Sequence, residues 1–116
     1  MANRVRRRVD PIPVEESSGN VFADLGVANP EEELAKAQLA SHVRHSLRRL
    51  KLTQSAAARL MGLDQPKVSA LMNGRLAGFS SDRLMRLLTA LGLDVEISVK
   101  KARRRDRGHI RVVEAA

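Results

Sequence analysis

Apolar and polar positions recur along this chain with two different periods, and the switch between them organises it. Leu39, Val43, Leu47 and Leu50 stand at spacings of 4, 4 and 3, which makes one apolar face of a helix. Before them lies Asn29-Pro30-Glu31-Glu32-Glu33. Asn29 suits a cap, proline suits the first helical position, and three carboxylates suit the positive end of the helix dipole. Arg44, Arg48, Arg49 and Lys51 sit toward the other end, where cations are favoured. The pattern predicts a helix over about 30–50. Thr53 then caps a second, about 54–61, with Ala57, Leu60 and Met61 inward and Gly62 as its stop. Asp64 caps a third, about 65–73, with Pro66 in its first turn, Val68, Leu71 and Met72 inward, and Asn73-Gly74 at its end. Ser80 or Ser81 caps a fourth, about 81–91, with Leu84, Leu87, Leu88 and Leu91 inward and Gly92 beyond.

After Gly92 the period falls to two. Val95, Ile97 and Val99 alternate with Asp94, Glu96 and Ser98, the pattern of a half-buried strand over 93–99. A lone strand leaves its backbone groups unpaired, so it requires a neighbour. Three neighbours fit: the same strand of a second subunit, the segment His109-Ile110-Arg111-Val112-Val113, or an edge on a protein partner. The expected fold class is all-α, a compact bundle of four or five short helices over 30–92 with a C-terminal β-strand beyond it. Residues 1–29 read as a flexible or partner-binding arm, 93–99 as a pairing strand, and 100–116 as a basic tail that holds the second candidate strand.

Charge sharpens this division. The net +8 of the 116 residues is arranged in blocks. Residues 1–9 hold four Arg and no acid, 10–33 hold seven acids and no base, and 34–75 hold eight bases and only Asp64. Residues 76–99 are near neutral, and 100–111 hold seven bases against Asp106. A basic domain of this kind points to a polyanionic partner. Residues 1–30 also contain Pro11, Pro13 and Pro30 with few apolar residues, as expected of a disordered segment. Val21, Phe22 and Leu25 are candidate anchors for a segment that orders on a partner.

Composition excludes several classes. The chain has no Cys, so thiolate metal sites, disulfides and cysteine nucleophiles are ruled out. With two Phe, no Trp and no Tyr it lacks the aromatic platforms of single-strand binders. No apolar run approaches the roughly 20 residues of a membrane helix. The basic start, Arg4 to Arg8, is not followed by an apolar stretch, so it is not a secretory signal. A cytoplasmic, nucleoid-associated protein is expected. His42 and His45 share a helix face but lack a third ligand. No phosphate loop, nucleophile elbow or catalytic triad is discernible, so the chain is expected to be no enzyme and to need neither metal nor cofactor.

The third helix carries the candidate chemistry. With Val68, Leu71 and Met72 inward, its outer face holds Gln65, Lys67, Ser69 and Asn73, with small Ala70 between. Hydrogen-bonding side chains at an exposed helix N-terminus suit a major groove about 12 Å wide, and the free N–H groups there suit phosphate.

The run from Leu52 to Gly74, LTQSAAARLMGLDQPKVSALMNG, resembles the helix-turn-helix of the Xre/Cro/phage-repressor family. Leu52, Thr53, Gln54, Ala58, Gly62, Val68, Ser69 and Gly74 occupy the family's places without gaps. Ala58, Gly62, Val68 and Gly74 are the structural positions, and Ala58 is small because two helices cross there. The resemblance implies that Gln65, Pro66 and Lys67 face base edges. It also implies that Gln54, Ser69, Asn73 and Arg75 lie along the DNA backbone, with Gln54 bracing Gln65. Pro66 offers only apolar contact, which leaves the base preference open.

A broader arrangement over residues 14–100 is similar to HigA-type antitoxins: the acidic arm, Ser18-Gly19-Asn20-Val21-Phe22-Ala23-Asp24-Leu25-Gly26, Gly78-Phe79-Ser80, and Leu91-Gly92-Leu93-Asp94-Val95-Glu96-Ile97. That likeness implies a homodimer that represses its own operon on double-stranded operator DNA and neutralises a small ribonuclease toxin. The toxin would bind through Val21, Phe22 and Leu25 or through Val95 and Ile97. Two rivals remain at this level: a prophage or free-standing Xre-type regulator without a toxin, and a protein-interaction scaffold. The basic run 100–107 and the Arg4–Arg8 cluster lie outside the likeness. The run 100–107 reads as a solvated tail ahead of a DNA contact, and the Arg4–Arg8 cluster is a candidate minor-groove arm.

Overall fold

Caps and stops punctuate the chain where its sequence expects them, and they set the helices. A computed structural model describes residues 20, 22, 25–26, 28–103 and 107–114. Among these, four helices follow one another: α1 (Pro30–Leu50), α2 (Gln54–Met61), α3 (Gln65–Met72) and α4 (Ser81–Ala90). The Thr53 hydroxyl accepts the Ala56 N–H at 3.1 Å, and the Asp64 carboxylate accepts the Lys67 N–H at 2.9 Å. Of the two serines before α4, Ser80 is the cap, accepting the Arg83 N–H at 3.1 Å. Each satisfies an amide that the first turn leaves without a helical partner. Asn29 works differently from the expected side-chain cap. Its backbone is left-handed (φ 52°) and its carbonyl accepts the Glu33 N–H at 3.1 Å.

One closure ends all four helices. Leu52 N–H reaches Leu47 O, Leu63 reaches Ala58, Arg75 reaches Ala70, and Leu93 reaches Leu88, at 3.4, 2.9, 2.8 and 3.1 Å. This pattern satisfies carbonyls of the last turn and requires a left-handed residue. At α1 that residue is Lys51, with φ 54°. A side chain there costs about 1–2 kcal/mol relative to glycine.

The chain divides into two compact units, Met1–Ala35 with Lys101–Ala116, and Lys36–Lys100. In the second, Leu39, Ala40, Val43 and Leu47 of α1 are buried together with Ala57, Ala58 and Met61 of α2, Val68 and Leu71 of α3, and Leu84, Leu87 and Leu88 of α4. Leu63 and Phe79 add the connecting segments to this core. Helix α2 packs against both α3 and α4. Two expected inner positions are not inside: Leu50 is 49% and Leu60 47% exposed. Leu50 continues the apolar row of α1 past Leu47, its last buried member. Leu60 lies about 110°, nearly a third of a turn, from the centre of the arc formed by Ala57, Ala58 and Met61.

The expected C-terminal strand is absent. Residues 93–103 and 107–114 form neither helix nor strand, and Ile97 and Val99 are 75% and 92% exposed. A strand exists through its ladder, and neither segment has a strand partner among the described residues. The expected readings of residues 1–19, of Val21 and of Arg104–Asp106 lie outside the described residues.

In the first unit, the buried Asn20 accepts the Phe22 N–H at 2.9 Å and donates to Pro30 O at 2.9 Å. Glu31 receives two donors from the C-terminal segment. His109 Nδ1 bonds one carboxylate oxygen, and the Ile110 N–H bonds the other at 3.2 Å. The His109 hydrogen bond first, and then the Ile110 amide, hold the Glu31 carboxyl below the ordinary glutamate range. A depressed carboxyl contributes stability above its unfolded value and loses it as pH falls through the folded one. We expect Glu31 to titrate below the other glutamates when its side-chain carbon is followed by NMR. His109→Ala should move it most of the way back, the Ile110 amide retaining the remainder.

Candidate nucleic-acid interface

Helix α3 starts on an apolar inner side and a polar outer one. Val68 and Leu71 are fully buried, which fixes the rotation of the helix against α2. Gln65 and Pro66 are therefore exposed at its first turn, with Lys67 half-buried beside them. Ser69 and Ala70 are half-buried, and Asn73 and Arg75 are exposed past the helix end. Gln54 is exposed at the start of α2. Neither α2 nor α3 has an acidic residue in its first turn. The Asp64 cap is hydrogen-bonded to the backbone of α3.

These side chains are not all equally free. Among the described residues Gln54 and Gln65 make no hydrogen bond to each other or to any other group. Their side-chain amides are unengaged donors and acceptors. The Asn73 amide turns back on α3, donating to Ser69 O at 2.9 Å and to Ser69 Oγ at 3.4 Å. It therefore completes the end of α3 while staying exposed.

Lys67 is the most constrained. Its Nζ lies 3.5 Å from Gly78 O and 5.5 Å from the centroid of the Phe79 ring. A Cβ on Gly78 would stand 3.0 Å from that ammonium, so the bare backbone lets Lys67 approach. Arg83, in the first turn of α4, lies 5.9 Å from the same ring. Two cations over one buried ring contribute on the order of 0.5–1 kcal/mol each at such partly exposed sites. They place Lys67 and Arg83 beside the loop 76–80. Arg83 is a cation of this surface that periodicity does not reveal, because only its contact with Phe79 brings it to α3.

Arg44 is a second residue that periodicity leaves unassigned. It crosses from α1 to α3, its Nη1 donating to Leu71 O at 3.1 Å. Burial first, then neighbouring Arg48, lower its pKa. Leu71 O is one of the last carbonyls of α3, which the helix itself does not satisfy. Arg44 thus anchors the end of α3 opposite the one carrying Gln65.

The candidate partner-binding residues are distributed over both units. Phe22 is half-buried and Leu25 72% exposed in the first; Val95 is half-buried and Ile97 exposed in the second. Among the described residues no group of three or more His, Asp or Glu is placed to hold a metal ion. No helix among them is long and apolar enough to cross a membrane.

The model of a helix-turn-helix domain family matches residues 21–100. A solved structure bearing the name of an XRE-family transcriptional regulator is 49% identical, over 73% of this chain and 97% of that one, with a TM-score of 0.69. No curated protein matches.

The Arg44 contact has a measurable weight. Arg44→Met keeps the aliphatic stem and removes the donor to Leu71 O. We expect a loss of about 1 kcal/mol in urea unfolding with the slope unchanged.

Proposed function

The chain belongs to the helix-turn-helix domain family as a DNA-binding regulator of XRE type, and from that premise we propose a homodimeric repressor that autoregulates its operon and acts as its antitoxin. The observation that carries the DNA reading is the start of α3: Gln65 and Pro66 exposed, their helix held by Val68 and Leu71, and no first-turn acid to repel phosphate. In this reading α3 enters the major groove. Gln65 pairs with adenine, Pro66 contacts a thymine methyl, and Lys67 reaches guanine from its place beside Gly78. Gln54, Ser69, Asn73 and Arg75 line the sugar-phosphate backbone. A second copy supplies the second α3 for a half-site about one helical turn away.

The antitoxin role rests on charge as well as on the family likeness. Residues 10–29 carry four acids and no base, and Glu31, Glu32 and Glu33 follow in the first turn of α1. An enzyme that cleaves RNA presents a basic surface to its substrate, and an acidic arm complements that surface. Val21, Phe22 and Leu25 supply apolar anchors within the same arm. A second reading is a regulator of XRE type without a toxin.

Two experiments separate these claims. With operator DNA in hand, Gln65→Ala combined with Lys67→Ala should cost about 1–3 kcal/mol of discrimination per lost base contact while nonspecific binding persists. Equal discrimination in wild type and variant overturns the assigned reading helix. Separately, the neighbouring reading frame is expressed alone and together with this chain, and survivors are counted. We expect killing that this chain rescues, and loss of rescue when residues 10–30 are deleted. A harmless neighbour leaves the regulator without a toxin.

A further inference from the structure

Residues 94–100 combine three properties. They form no strand, their apolar side chains Ile97 and Val99 are exposed, and their polar side chains Asp94, Glu96, Ser98 and Lys100 are exposed. Among the described residues none of those four makes a hydrogen bond or ion pair. The alternation is strict, so in an extended conformation Val95, Ile97 and Val99 share one face and the polar four share the other.

We propose that this segment pairs antiparallel with the same segment of a second copy, with Ile97 opposite Ile97 on the two-fold axis. The proposal rests on the homodimer in the function above and gives it a surface and a register. Residues opposite each other in an antiparallel pair share a face, so registers that set Ile97 against a polar neighbour are excluded. Three registers keep the faces apart, centred on residue 96, 97 or 98.

Centring on Glu96 puts two like charges face to face, which is destabilising. Centring on Ser98 sets Glu96 against Lys100 at both ends but puts Val95 opposite Lys101 and leaves Asp94 opposite Ala102. Centring on Ile97 sets Val95 against Val99 twice and Ile97 against itself, with Glu96 opposite Ser98. It also sets Asp94 against Lys100 at both ends. In that register all seven residues of 94–100 are paired within the segment, apolar against apolar and acid against base or serine, with Leu93 opposite Lys101 just beyond it. A parallel in-register pair would oppose Asp94 to Asp94 and Lys100 to Lys100. An isologous pairing of this kind covers one edge of each copy at once.

The chain contains no cysteine, so one introduced thiol reports register directly. Single variants Glu96→Cys, Ile97→Cys and Ser98→Cys of the full chain are oxidised without DNA and scored for covalent dimer. Opposed residues have Cα atoms about 4.5–5.5 Å apart, within the range of a disulfide, whereas separations beyond about 7 Å are not bridged without backbone movement. We expect cross-linking at Ile97→Cys and at least tenfold less at the other two.

Sedimentation of charge variants gives an independent readout. Asp94→Lys and Lys100→Asp should each weaken association about tenfold, since each places like charges at both ends. The double exchange should restore it to within about threefold. Cross-linking that peaks at 96 or 98, is equal at all three, or fails in a protein that sediments as a dimer overturns the pairing and leaves the homodimer standing. A monomer at working concentration overturns both.

Discussion

The reading helix is held in place by one turn, and that turn depends on a backbone conformation at Gly62. Its φ of 70° is a region that a side chain enters at a cost. With it, the Leu63 N–H reaches Ala58 O at 2.9 Å, α2 ends, and Leu63 enters the core. The chain then emerges with Asp64 in place to cap α3. Ala58 serves the same crossing from the other side, since its carbonyl accepts the closure and its small side chain is buried. The bearing of Gln65 and Pro66 comes from this turn together with the burial of Val68 and Leu71.

A division of labour follows along α3. Its two buried side chains set rotation, its C-terminal carbonyls are closed by Arg44, Asn73 and Arg75, and its first turn is left with side chains that have no internal duty. Lys67 stands at the boundary between these roles. Its ammonium is shared with Gly78 and Phe79, so moving it to a base edge costs part of that interaction. Gln65 has no such contact to lose. The first turn therefore offers one free side chain and one whose release is coupled to the loop before α4, where Arg83 shares the same ring.

What was legible in the sequence is what acts locally. Thr53, Asp64, Gly62, Gly74 and Gly92 define helix ends through bonds spanning a few residues, and the four helices appear within a residue of where these signals put them. What was not legible depends on tertiary surroundings. Leu50 and Leu60 obey the apolar pattern yet remain half exposed, because burial needs a neighbour and not only a face. Lys51 ends α1 in a left-handed conformation where no glycine marks it. Arg44, Arg83 and Asn20 bond groups far from them in the chain or contact a ring that only the fold brings near. The alternation over 93–99 fails for a related reason: a period of two specifies which residues share a face but supplies no ladder.

The same failure connects the two surfaces that the function requires. A helix of eight residues reads only a few base pairs, so discrimination adequate for an operator calls for two such helices at a fixed spacing. Spacing is a property of the dimer, set by whatever joins the copies. In the proposed pairing, a segment that forms no strand alone ties that spacing to association. Under the proposed antitoxin role, a toxin bound near either copy would then have a physical route to the operator. Any contact that strains or reinforces the pairing shifts both reading helices together, and the coupling is reciprocal by thermodynamic necessity.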